Sequence, residues 1–235
     1  MCKTNYCEII WKLRNSILKL RELFTIALLF LFMTPSYAII DNGYGGDSYI
    51  DNKTYNEYKK VTKEGRIIEA LETMRGGLSD YSRRAIMGEN LTGKPIKVEF
   101  RNLAELNEAY ADFDALGWKN KNKLYIFINE KHRDAPKEAL AAVLSHEAIH
   151  QDELNSINEE TYCWTLEAAV WTSLTEKKPS VGEINHPLVY RENTIKRMFI
   201  KGNYTDKYIR KSIMTNAGYQ TLPSRSPGFE DKTNL

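Results

Sequence analysis

Two imidazoles and a carboxylate stand at helical spacing in Ser145-His146-Glu147-Ala148-Ile149-His150. At 3.6 residues per turn, His146 and His150 lie one above the other on one face, so a single cation could take a nitrogen from each at ~2.0–2.1 Å. Glu147 is their neighbour, displaced from the metal position but close enough to hold and deprotonate a water there. That is general-base chemistry for a metal-assisted hydrolysis, and zinc is the metal this spacing suits. The chain has only 4 His, and two of them fall in this motif. Chance would produce the pattern in a chain of this length on the order of one time in a hundred.

The motif needs a helix to carry it. Asp134-Ala135-Pro136 reads as a helix start, with Pro tolerated in the first turn, and Lys137 to about Asp152 then runs without Gly or Pro. Leu140, Val143 and Leu144 give that helix an apolar stripe, while Ala139, Ala141, Ala142 and Ala148 let neighbours pack closely on its other sides. A helix covered nearly all round is buried, and buried His and Glu side chains need partners, which a metal would supply.

The third ligand is expected from the next helix. Ser156-Ile157-Asn158-Glu159 has the form of a capping box, which assigns Ser156 to the cap and Glu159 to the bond back to it. Glu160 is then free for the metal, completing three protein ligands with one position open. If the helix phase is one residue off, Glu159 takes that place. Glu160, Trp164, Glu167 and Trp171 share a face, and Glu167, Asp152 and Glu159 are the candidates for carboxylates that orient a ligating His. Cys163 is expected to be buried, with a Cys ligand as the alternative.

His146-Glu147-x-x-His150, with nine residues between His150 and Glu160, resembles the zincin metallopeptidases of the two-His-one-Glu kind, the gluzincins in the broad sense. Glu160-x-x-Cys163-Trp164-x-Leu166 is similar to the second-helix pattern of short-spaced members that include the ImmA/IrrE-like peptidases. The likeness covers about Leu124 to Trp171. It implies one zinc per chain, peptide hydrolysis with Glu147 as base, and an edge strand beside the active-site helix.

The first residues carry a different signal. Lys3, Lys12, Arg14, Lys19 and Arg21 precede an apolar run from Leu23 to Met33, and Ser36-Tyr37-Ala38 offers small residues at −3 and −1 of a cleavage site. Residues 1–38 therefore read as a secretory signal peptide, placing the protein in the periplasm or outside the cell. The alternative is an uncleaved membrane anchor, for which the apolar run is short. Cleavage removes five basic and two acidic residues and takes the formal charge from +2 to −1. Nothing in that balance points to nucleic acid. Cys2 and Cys7 leave with the leader, so Cys163 has no partner for an intramolecular disulfide.

Residues 39–53, rich in Gly, Asp, Asn and Tyr, are expected as a flexible lead-in. Residues 54–222 form one domain and 223–235 a polar tail. Helices are expected over Thr54 to Met74, broken by Gly65, over Ser79 to Met87, Leu103 to about Phe113, Leu188 to Phe199 and Tyr204 to Asn216. Strands are expected at Pro95 to Phe100 and Leu124 to Ile128, with a turn from Gly117-Trp118 through Asn122. A peptidase also needs a donor for the oxygen that gains negative charge, and His186, Tyr190 and Arg191 are the candidates; His132 is a weaker one.

These expectations combine into a helix-rich α+β, zincin-like domain with a small sheet packed against the motif helix. The function expected is an exported zinc metallopeptidase acting on a peptide or protein substrate, with zinc on His146, His150 and Glu160. Two alternatives stay open: a catalytically silent binding or sensor protein on the same core, and a zinc amidase acting on a non-protein envelope substrate.

Overall fold

The computed structural model describes residues 37–41, 47–151 and 154–226. Nearly all of the expected signal segment, Asp152, and the end of the expected tail lie outside them.

The chain is α+β and helix-rich. Strand β1 (Tyr37–Asp41) pairs with β2 (Asp47–Asp51), followed by the helices α1 (Asn52–Tyr58), α2 (Gly65–Thr73) and α3 (Asp80–Met87). A three-stranded sheet comes next, built from β3 (Lys97–Arg101), β4 (Ala115–Asn120) and β5 (Lys123–Asn129) in the order β3-β5-β4. β5 runs parallel to β3 and antiparallel to β4. The rest is helical: α4 (Lys137–Glu147), α5 (Ile157–Lys177), α6 (Pro187–Lys201) and α7 (Lys207–Thr215).

The β-branched and aromatic run Leu124–Ile128 makes β5 the central strand. Strands paired on both sides and covered on both faces read as continuous apolar runs, which is why this one shows no alternation. α4 is the axis of the helical part. Ala139, Leu140, Ala141, Ala142 and Leu144 are fully buried and join the main core with Ile67, Ile68 and Leu71 of α2 and Trp171 of α5. The small residues let those helices approach α4 closely.

Four expected elements differ. Residues 103–113 form two short 3-10 turns rather than a helix, because the side chains of Asn102 and Asn107 each accept a backbone N–H two residues on and restart the chain. Gly117-Trp118 lies within β4, and the hairpin turn comes later at Lys121, whose φ is 55°. The lead-in holds β2, and Ile50 from it is buried in the core. Residues 223 and 224 accept backbone bonds from the start of α5, Ile157 N–H to Pro223 O at 2.9 Å and Asn158 N–H to Ser224 O at 3.2 Å, so this part of the expected tail belongs to the domain.

Candidate metal centre

α4 ends at Glu147, earlier than the pattern suggested. Ala148 stays in the helical region, but Ile149 N–H bonds to His146 O, a tighter i→i+3 turn, and His150 lies beyond the regular helix. The tightened turn still brings the two rings together, with centroids 5.1 Å apart. The Ser82 hydroxyl of α3 caps the Ser145 carbonyl at 2.9 Å and helps to hold this end.

Each imidazole is anchored through the same nitrogen. His146 Nδ1 lies 2.9 Å from Glu167 Oε2, and His150 Nδ1 lies 2.9 Å from Glu159 Oε1. A carboxylate only accepts, so each Nδ1 carries a proton, and Nε2 is the nitrogen each ring can offer to a metal once it is free of its own proton. Those two Nε2 atoms are 3.2 Å apart. Glu160 faces both, with its oxygens 3.8 Å from His146 Nε2 and 3.6 Å from His150 Nε2. Glu160 Oε1 accepts from the Asn155 amide, while its buried Oε2 has no hydrogen-bond partner among the described residues. Two Nε2 atoms thus lie beside a buried carboxylate that has one unpartnered oxygen. A cation satisfies all three, so the residues fit a metal of the kind that takes His and carboxylate ligands.

The surroundings select positive charge. Burial would keep His150 neutral, yet Cys163, Glu159 and Glu160 around it push its proton affinity well above the usual imidazole value. Burial pushes the Cys163 thiol up to about 12. Its Sγ and a nitrogen of each His lie within 4.8 Å of one another, which makes His146, His150 and Cys163 a second possible donor set. Glu147 is buried too, and desolvation together with the charges of Glu160 and Glu167 holds its carboxyl above the ordinary range against the pull of both His.

Glu159 does not close a capping box. Ser156 caps α5 as expected, accepting Glu159 N–H at 3.1 Å, but the Ser156 N–H goes to the Asn155 side chain. The Glu159 carboxylate turns instead to His150 and to the Ser226 hydroxyl, 3.0 Å from its Oε2. A charged hydrogen bond to an imidazole outcompetes a neutral backbone donor that Asn155 already satisfies.

Behind His146 lies a partly buried ionic chain. Arg191 donates to both oxygens of Glu167, through Nη1 and, at 3.1 Å, through Nη2; it also reaches Glu192 at 2.8 Å and Asp114 at 3.1 Å. Asp114 in turn meets His132 Nε2 at 2.6 Å. Burial works to raise the Glu167 pKa, but Arg191 and His146 outweigh it and hold the carboxylate well below its usual range.

The three expected oxyanion donors are therefore elsewhere. Arg191 is engaged with carboxylates, exposed Tyr190 donates to Asn185, and His186 caps α6 by accepting Leu188 N–H; none of them lines the cleft over the His pair.

That cleft has a volume of ≈ 530 Å³. Its floor is His146, Glu147, His150, Glu159 and Glu160, one wall is residues 115–119 of β4, and the other includes Gly218, Tyr219 and Leu222. β4 passes so close to the motif that a Cβ at Gly117 would sit 2.9 Å from His150 Cβ and 3.3 Å from Glu147 O. Only Gly admits that approach. Tyr219 packs edge-on against Trp164, and burial plus the charges of Glu160 and Glu147 keep its hydroxyl protonated, its pKa raised. Tyr219 and Ser226 carry no motif signal in the sequence; they reach the site because residues 217–226 fold back over the start of α5.

Comparison of the chain with family models, with curated proteins and with solved structures finds no match.

Proposed function

We propose that the chain is a zinc-dependent peptidase of zincin type, with one zinc on His146, His150 and Glu160 and with Glu147 as general base. The observation that carries this reading is the pair of Nε2 atoms 3.2 Å apart with the Glu160 carboxylate 3.6 Å from one and 3.8 Å from the other, in the floor of the cleft that Glu147 also lines. Zinc there would act as a Lewis acid on a substrate carbonyl and lower the pKa of water.

The chain's own residues do the rest. Glu147 takes the proton of the attacking water and returns it to the leaving amine, and burial, which raises its pKa, strengthens it as a base. Glu159 and Glu167 fix the two rings so that Nε2 faces the metal. Tyr219 supplies the donor to the oxygen that gains negative charge. The substrate lies along β4. Five consecutive residues of one strand cannot all direct side chains into one cleft, since alternate side chains point to opposite faces. What residues 115–119 share is a backbone edge, and among the described residues β4 is paired with β5 alone. Such an edge accepts an extended peptide by backbone hydrogen bonds. The basic and apolar leader assigns this activity to an exported protein.

A second reading rests on Cys163. If its thiolate joins His146, His150 and Glu160, four protein ligands close the site, and the protein is a metal-binding or sensor module without turnover. Cobalt substitution separates the two, because a thiolate ligand adds a strong near-ultraviolet charge-transfer band.

The test is elemental analysis of the purified protein, with hydrolysis of a peptide library in the presence and absence of chelator. About one zinc per chain and chelator-sensitive cleavage are expected. Glu147→Gln should retain the zinc and lose cleavage by at least ~100-fold, the lower range for a general base. Wild-type turnover in that variant, or a protein free of zinc, would overturn the reading.

A further inference from the structure

The cleft's walls bear on its substrate. Its side-chain lining includes Phe113, Leu116, Trp118, Leu154, Tyr219 and Leu222. Phe113 and Leu154 are 44% and 58% exposed, so large apolar surface faces water here until something covers it. The charges give a second constraint. Glu147, Glu159 and Glu160 lie in the floor, and Lys119 is the one cation lining the cleft. A divalent metal would bring that set of charges to about zero, leaving none to recruit an acidic ligand. The uncharged polar groups in the lining are the Asn155 amide, already donating to Glu160, the hydroxyls of Tyr110 and Tyr219, and the indole N–H of Trp118.

Strand geometry then sets a period. Position 117 faces the motif helix, so Leu116 and Trp118 face the opposite way. A chain laid on the β4 edge alternates in the same manner. Every second side chain would stand beside Leu116 and Trp118, and the ones between would turn toward the floor and the Tyr219–Leu222 wall.

Resting on the peptidase reading, we infer that the substrate is an extended, uncharged polypeptide segment with bulky apolar side chains at successive positions around the cut bond, and not an acidic peptide. The partner chemistry is that of a stretch normally buried in a folded protein, presented unfolded or as a loose terminus.

The experiment uses the full chain as Glu147→Gln, loaded with zinc, and three end-blocked ligands of equal length followed by calorimetry. One is a peptide with Leu and Phe around its centre, one has Asp and Glu there, and one is a muramyl peptide. The apolar peptide should bind at least tenfold tighter than either of the others. Leu154→Ser should weaken the apolar peptide alone; the exposure of Leu154 means that this change leaves the core intact, and Trp118→Ala provides the second reading. Equal or tighter binding of the acidic or muramyl ligand, or no binding of any of the three, overturns the inference. Wild-type protein that binds the apolar peptide with the same preference but never cleaves it would sink the peptidase reading and leave the binding preference standing.

Discussion

The four histidines form two pairs that look alike as rings and differ in everything that decides chemistry. His146 and His150 have centroids 5.1 Å apart at 60°, and His132 and His186 have centroids 5.5 Å apart at 55°. In the first pair, carboxylates occupy both Nδ1 atoms, so both Nε2 atoms are left pointing at each other and at Glu160. In the second pair, His132 spends Nε2 on Asp114, while His186 spends Nδ1 on the Leu188 N–H and turns Nε2 to the largely exposed Asp134. Among the described residues, no third donor joins this pair in a group that could hold a metal. Ring proximity is therefore a poor sign of a metal site. What matters is which nitrogen each ring has left over, and whether an unpartnered carboxylate shares the space.

The sharpest way to break this comparison is to remove one ring from each pair. His146→Ala or His150→Ala should lower zinc affinity by well over the ~100-fold that marks the upper range for outer partners, since a direct ligand is lost. Glu160→Ala should follow them. His132→Ala should leave zinc stoichiometry unchanged. Competition with a chromophoric chelator reads all four variants, and retained zinc in both motif variants would show that the pairs are not different in kind.

A smaller effect is expected from the carboxylates that orient the rings. Glu159→Ala should weaken zinc by roughly 10–100-fold, well short of Glu160→Ala, because the ligand His150 remains but its ring is no longer held. Ser226→Ala, which removes one bond to Glu159, should weaken it less again. The same titration reads both. An order in which Glu159→Ala exceeds Glu160→Ala would make Glu159 the ligand.

The smallest effect belongs to the second pair. His186→Ala removes the side-chain cap of α6 and should cost about 1 kcal/mol, the usual worth of a helix cap. In a thermal melt that is a fall of about 2–4 °C. Zinc content should stay at the wild-type level, and a loss of metal in this variant would tie the two pairs together through the Asp114–Arg191–Glu167 chain.

What the sequence determined by itself was local. The motif spacing paired His146 with His150, although a tighter turn past the end of α4 rather than the helix face brings them together, Ser156 marked the cap of α5, and the unbroken apolar run Leu124–Ile128 marked the central strand. Each rests on interactions within a few residues, where helical period, capping and β-branched side chains are decisive. The α+β class followed from those elements. Tertiary structure decided the rest. Whether Glu159 bonds its own helix start or His150 depended on Asn155 and Ser226 arriving first at the competing groups. The sequence offers Arg191 as an oxyanion donor, but three carboxylates, two of them buried, claim it once α5, α6 and the start of β4 pack together. Tyr219 enters the cleft only because residues 217–226 return to α5, more than 50 residues after its cap. A long-range hydrogen bond is settled by which donors and acceptors remain unpaired after packing, and a chain read in order does not show that competition.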